Sequence, residues 1–100
     1  MTEKHANEDV EVVVLPGATR KTYSAADRRK IQNVIKDKLL LTSMEPYHKV
    51  QVTVKHRPDG SPESLLATML RAHTYTADIV KVNVDKDYNV KSIERSPKEE

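Results

Sequence analysis

The sequence predicts an α+β fold with two layers, in which one long helix covers one face of a four-stranded, largely antiparallel sheet. Three stretches carry this prediction: residues 24–42 place apolar side chains at helical spacing, residues 49–55 alternate valines with polar residues, and residues 78–95 have the pattern of a β-hairpin. The predicted order of elements is β-α-β-(α)-β-β. A helix with one apolar stripe and a strand with one apolar face most simply cover each other.

Length and composition fit one small domain. A chain of 100 residues has little room for two hydrophobic cores, so we expect a single domain over residues 9–95 with disordered tails at 1–8 and 96–100. Tyrosine is the only aromatic residue besides histidine, so the core must be built from valine, leucine, isoleucine and methionine.

The first strand is predicted from the residues at positions 10–15. This stretch is rich in β-branched valine and ends at Pro16-Gly17. Valines follow one another here without alternation, so we expect the strand to be buried on much of both faces.

A helix is predicted to begin after Ser24. The Ser24 hydroxyl can accept a hydrogen bond from an early backbone N–H, and Asp27 favours the positive end of the helix. The apolar residues then have the spacing of a buried stripe: Ile31, Val34, Ile35 and Leu39. Pro46 disfavours helical geometry in the residue before it, so we expect the helix to end near Leu41 or Thr42.

The second strand is predicted from a change of period at Tyr47. Val50, Val52 and Val54 alternate with polar residues, which places the valines towards the core and the polar side chains towards water. The stretch Arg57-Pro58-Asp59-Gly60 is a turn pattern that closes the strand.

Residues 61–75 fit two structures. Ser61, Pro62 and Glu63 resemble a helix start, and the apolar residues that follow lie at helical spacing: Leu65, Leu66, Met69, Leu70 and His73. We therefore prefer a second short helix at 62–73. The alternation of Leu65, Ala67 and Met69 supports an alternative, the order β-α-β-β-β, in which residues 64–76 form a strand.

The C-terminal part is predicted to be a hairpin. Residues 78–84 form a strand with Val80, Val82 and Val84 directed inward, residues 85–89 turn the chain, and residues 90–95 return.

This hairpin, Val82-Asn83-Val84-Asp85-Lys86-Asp87-Tyr88-Asn89-Val90-Lys91-Ser92-Ile93-Glu94-Arg95, resembles the closing hairpin of PepSY domains. The likeness in element order extends over residues 25–95, and the likeness in motif is limited to the hairpin. The resemblance implies a non-catalytic module with a helix on an antiparallel sheet. It also implies a secreted or periplasmic location and an inhibitory or regulatory role towards proteases.

Several kinds of chemistry are excluded by the residues themselves. The chain has no cysteine, so disulfides and thiolate sites are ruled out. Glycine occurs only at positions 17 and 60, so neither a P-loop nor a dinucleotide fingerprint can be formed. No serine stands in a recognisable nucleophile motif. We therefore predict no catalytic residues, no small-molecule cofactor and no enzymatic activity.

The histidines and the acidic turn do not predict a metal site. No two of the four histidines have the spacing of a helical metal-binding pair: His5, His48, His56 and His73. His56 shares the parity of the valines, so we expect it to be a half-covered residue at a strand end. Asp85, Asp87 and Asn89 match the start of a calcium loop, but Val90 stands where that loop needs glycine. We expect a hairpin turn there.

Positive charge is concentrated in the middle of the chain. Residues 20–57 contain ten basic and three acidic residues, whereas both flanking stretches are acidic overall. One side of the predicted second strand and the polar side of the helix supply the candidate binding residues, which are Lys49, Gln51, Thr53, Lys55, Arg57, Arg28, Arg29 and Lys36. Lys81 and Asn83 would join this surface if their strand is a neighbour of the second strand.

We interpret the chain as a non-enzymatic domain that binds another protein, or a second copy of itself, through a polar sheet face or an exposed strand edge. The alternative is binding of duplex RNA or DNA phosphates through residues 20–57. The chain supplies few aromatic residues on which bases can stack. An enzyme with a site assembled across chains is a third hypothesis.

The sequence also bears on location. No apolar run approaches the length of a membrane span, and residues 1–9 lack the apolar stretch of a signal peptide. We therefore expect no membrane partner and a cytoplasmic protein, or a secreted or periplasmic one if a signal peptide has been removed.

Overall fold

The computed structural model describes residues 7–16 and 23–95. In chain order, its elements are strand β1 (Glu11–Val14), helix α1 (Ala25–Ile35), a π-helical segment (Lys36–Leu40), and strands β2 (Tyr47–His56), β3 (Pro62–Arg71), β4 (Ala77–Val84) and β5 (Val90–Arg95). The α+β class is confirmed. The observed order over the described residues is β-α-β-β-β-β, with one helix and a mixed sheet of five strands.

The sheet has the strand order β1-β2-β3-β4-β5. β1 pairs with β2 in parallel, and α1 forms the crossover between them. The pairs β2–β3, β3–β4 and β4–β5 are antiparallel. The strand predicted over residues 10–15 is therefore present in a shorter form, as a parallel edge strand of four residues.

The helix preferred at 62–73 is wrong, because these residues form the central strand β3 and the start of the following turn. At helical spacing, Leu65, Leu66, Met69 and Leu70 would share one side. In the strand they divide between both faces, with Leu65 and Met69 towards the core. Backbone groups of β2 and β4 pair with β3 on its two sides, and this tertiary pairing outweighs the local helical pattern. The alternative strand at 64–76 is closer, but β3 already ends at Arg71.

Helix α1 begins as predicted. The Ser24 hydroxyl accepts a hydrogen bond from the Asp27 backbone N–H at 3.1 Å. The π-helical segment ends at Leu40, directly before Leu41. The helical run therefore ends close to Leu41 or Thr42, as expected from the position of Pro46. No helix within residues 7–16 and 23–95 is long and apolar enough to cross a membrane.

The π-helical segment explains how the buried apolar stripe continues to the end of the helical run. Ile31, Ile35, Leu39 and Leu40 are all fully buried. At 3.6 residues per turn, Leu40 would lie well away from the stripe that Ile31 and Ile35 define. A π turn holds more residues, since its hydrogen bonds run between residues five apart, and the Leu41 N–H donates to the Lys36 carbonyl at 2.9 Å. Leu39 and Leu40 therefore both reach the core.

The core lies between the helix and one face of the sheet. Val50, Val52 and Val54 of β2 and Val80, Val82 and Val84 of β4 are buried, as the alternation predicted. Leu65, Ala67 and Met69 of β3 lie between these two rows. We call this side of the sheet the covered face.

Asn7 belongs to the folded domain, so the prediction of a disordered tail over residues 1–8 is wrong at this position. Its side chain is fully buried, and the amide donates to the Leu40 carbonyl at 3.0 Å and to the Glu45 carbonyl at 2.9 Å. The amide oxygen accepts from the Tyr47 N–H at 2.9 Å. Asn7 therefore joins the end of the helical run to the start of β2. Residues 1–6 and 96–100, the rest of the predicted tails, lie outside the described residues.

The β4–β5 hairpin is confirmed, and its turn is held by Asp85. The Asp85 carboxylate accepts from the backbone N–H groups of Asp87 at 2.8 Å and Asn89 at 3.0 Å. Tyr88 has a φ of 66°, the left-handed region that favours glycine, and its side chain is buried. Burial of the ring offsets the backbone strain. Asp85, Asp87 and Asn89 thus form the expected turn.

Candidate functional site

The side of the sheet opposite α1 is the candidate site, and we call it the open face. No helix or strand among the described residues packs against it. Strand parity and register assign its residues, which are Glu11 and Val13 of β1, Lys49, Gln51, Thr53 and Lys55 of β2, Ser64, Leu66, Thr68 and Leu70 of β3, Ala77, Ile79, Lys81 and Asn83 of β4, and Ser92 and Glu94 of β5.

The centre of the open face is apolar. Leu66 is 43% exposed and Ile79 is 45% exposed, whereas their sequence neighbours Leu65 and Val80 are buried on the covered face. Thr68 pairs with Ile79, and Leu66 and Leu70 lie two residues to either side of Thr68 on β3. Ile79 is therefore a diagonal neighbour of both leucines. Large apolar side chains at the middle of an uncovered sheet are typical of a contact surface.

The charges of the open face cancel. Lys55 forms an ion pair with Glu63 at 3.2 Å, where Glu63 is the additional residue of a bulge at the end of the β2–β3 ladder. In the sheet register, Lys49 lies beside Glu11 and Lys81 lies beside Glu94. The three lysines are thus matched by three glutamates from other strands. When Glu63 is counted with the residues assigned above, the described part of this face has no net formal charge.

The structure brings together four of the eight predicted binding residues. Lys49, Gln51, Thr53 and Lys55 lie on the open face along β2, as the period of two predicted. Arg57 does not extend this row, because β2 ends at His56. Its guanidinium donates to the Pro62 carbonyl at 2.9 Å and to the Val84 carbonyl at 3.4 Å. Arg57 therefore joins the ends of two strands.

The other three predicted residues lie on the opposite side of the sheet. Arg28 and Arg29 belong to α1, and Lys36 opens the π-helical segment, so the helix layer carries all three. The Arg28 guanidinium donates to the Tyr23 carbonyl at 3.5 Å. The basic residues within positions 23–57, the described part of the stretch 20–57, are consequently divided between two surfaces and do not form one patch.

Lys81 and Asn83 lie on the open face, although β4 is not the neighbour of β2. β3 stands between them, and Leu66 pairs with Thr53 on one side and with Lys81 on the other. The Asn83 amide donates to the Ser92 hydroxyl at 2.9 Å and to the Glu94 carboxylate at 2.7 Å. These bonds connect β4 with β5 at the polar margin of the face.

The histidines within the described part of the chain do not form a metal site. His48 and His73 are exposed and His56 is half-buried at the end of β2, as expected. The Tyr23 hydroxyl and His56 Nε2 are 2.9 Å apart, and His56 Nδ1 is 3.1 Å from the Gly60 carbonyl. Burial raises the pKa of the Tyr23 hydroxyl. No group of three or more metal-ligating side chains occurs over residues 7–16 and 23–95. His5 lies outside them.

Two apolar side chains are more exposed than those of the open face. Met44 is 95% exposed in the connection before β2, and Tyr75 is fully exposed in the connection before β4. The two connections are joined by a hydrogen bond from the Ala72 N–H to the Pro46 carbonyl at 3.0 Å. Single exposed apolar residues in loops are common, so we do not assign a second site to them.

Sequence reasoning missed the residues that give the open face its character. A helix at 62–73 does not divide Leu66 and Leu70 from the core residues, and the inward valines of β4 give no reason to single out Ile79. The signal that could have placed Leu66 and Leu70 is the strand alternation of Leu65, Ala67 and Met69, because it directs the residues between them to the other face. Glu11, Glu63 and Glu94 are distant in sequence from β2, so only strand pairing places them near its lysines.

Comparison with protein-family models, with curated proteins and with solved structures finds no match to this chain.

Proposed function

We propose that this chain is a non-enzymatic binding domain and that its open face contacts another protein. The observation that carries the proposal is the combination of an apolar centre, formed by Leu66, Leu70 and Ile79, with a polar margin whose charges cancel. Protein interfaces have this arrangement, with an apolar middle and a polar rim. The resemblance of the C-terminal hairpin to PepSY domains supports a non-catalytic, regulatory function.

The electrostatics of the face favour a protein over a nucleic acid. A phosphate backbone is bound by cations that have no competing anion, since affinity comes from release of counterions. Lys49, Lys55 and Lys81 each have a glutamate beside them. A phosphate approaching these lysines would also meet the three carboxylates, which repel it.

The face is also favoured over the strand edges. β1 has only four residues, and β5 carries Lys91, Glu94 and Arg95 within six residues. Short strands and charged side chains are the features by which natural sheets resist edge pairing. Addition of a partner strand to β5 is therefore a weaker hypothesis than contact across the open face.

Photo-crosslinking tests this proposal directly. A benzophenone amino acid replaces Thr68 in the centre of the open face, and the matched control variant carries it at Asn33, an exposed position of α1. Each variant is irradiated in an extract of the source cells, and adducts are separated on a denaturing gel before and after nuclease treatment. We expect the Thr68 variant to form protein adducts that resist nuclease and the Asn33 variant to form far fewer.

A further substitution makes the result specific. Leu66→Lys in the Thr68 crosslinking variant places a charge in the apolar centre, and we expect the adducts to decrease by about tenfold or more. Equal crosslinking from Thr68 and Asn33, or adducts that disappear with nuclease, would reject the proposal.

A further inference from the structure

The strands of the open face are arranged so that two such faces can pack against each other. Its long axis is β3, which lies in the middle of the five strands and carries Leu66, Thr68 and Leu70 along this face. β2 and β4 lie on either side of it at equivalent distances. Two copies can therefore pack through this face around a twofold axis that runs parallel to β3 between the two sheets. In this arrangement β3 lies over β3, and β2 of one copy lies over β4 of the other.

We infer that the protein bound by the open face is a second copy of this chain, packed sheet to sheet around such an axis. This inference rests on the proposed function. The dimer has four layers, with the helices outside and the two sheets in contact at the centre. Face-to-face packing of two sheets is the arrangement found in β-sandwiches.

The register decides which side chains meet in this arrangement. Each β3 residue of the face lies opposite its own symmetry mate, so leucine meets leucine at the axis. Across the flanking strands the opposed pairs are Lys49 with Ala77, Gln51 with Ile79, Thr53 with Lys81, and Lys55 with Asn83. No lysine lies opposite a lysine. The neutral charge of the face removes the repulsion that a uniformly basic surface would cause between copies.

The area of the face sets the strength to expect. Five strands spaced about 4.8 Å apart and about eight residues long cover roughly 600 Å² per copy, or roughly 1,200 Å² for the pair. This value is at the lower limit for stable protein interfaces, about 1,200 to 2,000 Å². The dimer should therefore be reversible, with monomer and dimer both populated over the micromolar range of protein concentration.

Sedimentation velocity of the full chain from about 1 to 500 µM measures this equilibrium, and charge exchange at Leu66 tests the axis. Leu66 faces its own copy, so Leu66→Lys and Leu66→Glu should each raise the dissociation constant at least about tenfold through repulsion of like charges. An equimolar mixture of the two variants should recover the dimer, because lysine then faces glutamate. Asn33→Lys on α1 is the control and should leave the dimer unchanged. Circular dichroism confirms that each variant is folded, as expected for a substitution at a half-exposed position.

Three results would overturn the inference: a monomer at the highest concentration, a dimer that Leu66→Lys does not weaken, or variants that remain monomeric when mixed. A monomer that still forms protein adducts at Thr68 would remove the second copy as partner while leaving the proposed function intact. A chain that neither dimerises nor crosslinks through this face would reject both.

Discussion

Leu65 and Leu66 are neighbours in β3, yet Leu65 is fully buried on the covered face while 43% of Leu66 is exposed on the open face. The same contrast separates Val80 from Ile79 in β4. The covered face is closed by Ile31, Ile35, Leu39 and Leu40 of the helical run, and the open face has no comparable layer among the described residues. The comparison teaches that apolar residues in one strand can have two environments, since those on the covered face build the core and those on the open face remain accessible to solvent.

The largest effect should come from truncating the covered member of the β3 pair. Leu65→Ala removes a fully buried side chain and leaves a cavity in the core, which should lower the free energy of unfolding by about 3 kcal/mol. Leu66→Ala is the matched control and should cost less than about 1 kcal/mol in the monomer. Urea unfolding at low protein concentration measures both. Equal losses would mean that the two faces do not differ in the way described.

Asn7→Ala should have the next largest effect, because it loosens the layer that covers the sheet. The substitution leaves the Tyr47 N–H and the carbonyls of Leu40 and Glu45 without this side chain, at a cost of about 2 kcal/mol. Asn33→Ala at an exposed helix position is the control, with an expected change within about 0.5 kcal/mol. Thermal and urea unfolding report the difference. An unchanged stability for Asn7→Ala would show that residue 7 does not anchor the helix.

Alkaline pH should lower the stability of the fold, because it ionises tyrosines that are buried in the core. Burial, with smaller contributions from Asp27 and Tyr23, raises the pKa of Tyr88 to about 12 from its ordinary value of 10.0. Because the folded pKa is the higher one, this stabilisation is complete below pH 10 and is lost as the pH rises towards 12. Tyr23 and Tyr47 change in the same direction, since burial raises the pKa of each.

Tyr88→Phe isolates this contribution. Urea midpoints measured from pH 8 to about 12 should fall less steeply for Tyr88→Phe than for the parent chain, with the remaining fall due to the other tyrosines. Parallel curves for the two proteins would contradict the burial of the Tyr88 hydroxyl.

The smallest effect should come from the margin of the open face. The Lys55 side chain is 70% exposed and that of Glu63 is 38% exposed, so their ion pair is well solvated. A double-mutant cycle with Lys55→Met and Glu63→Gln should give a coupling energy of less than about 1 kcal/mol, which declines further at high salt. A coupling of several kcal/mol would mean that the polar margin stabilises the fold rather than merely cancelling charge.

Much of the fold could be predicted because most elements have one buried side. The stripe from Ile31 to Leu39 and the alternating valines of β2 and β4 each have one period and one apolar direction, so the pattern alone identifies them. β3 has large apolar residues on both faces, and Leu65, Leu66, Met69 and Leu70 satisfy both a strand and a helix. β3 forms a strand because it pairs with β2 and β4 on its two sides. This pairing cannot be read from the local sequence.

The site could be predicted only along a single strand. The period of two grouped Lys49, Gln51, Thr53 and Lys55 correctly, because parity depends on neighbouring residues alone. The same period also predicts Arg57, which lies beyond the end of β2. Arg28, Arg29 and Lys36 are predicted from the polar side of the helix, and they lie in the other layer because no local pattern tells which layer a charge belongs to. The glutamates that neutralise the face come from β1, β5 and the bulge before Ser64. Asn7 was missed for the same reason, as its partners lie more than thirty residues away.

The difference between the two faces can be measured most directly by thiol labelling, because the chain contains no cysteine. Ile79→Cys reports the open face and Val80→Cys, one residue later, reports the covered face. At low protein concentration, we expect the thiol at 79 to react with a maleimide nearly as fast as in an unfolded peptide, and the thiol at 80 to react at least about a hundredfold more slowly. Similar rates at the two positions, or faster reaction at 80, would contradict a sheet covered on one side and open on the other.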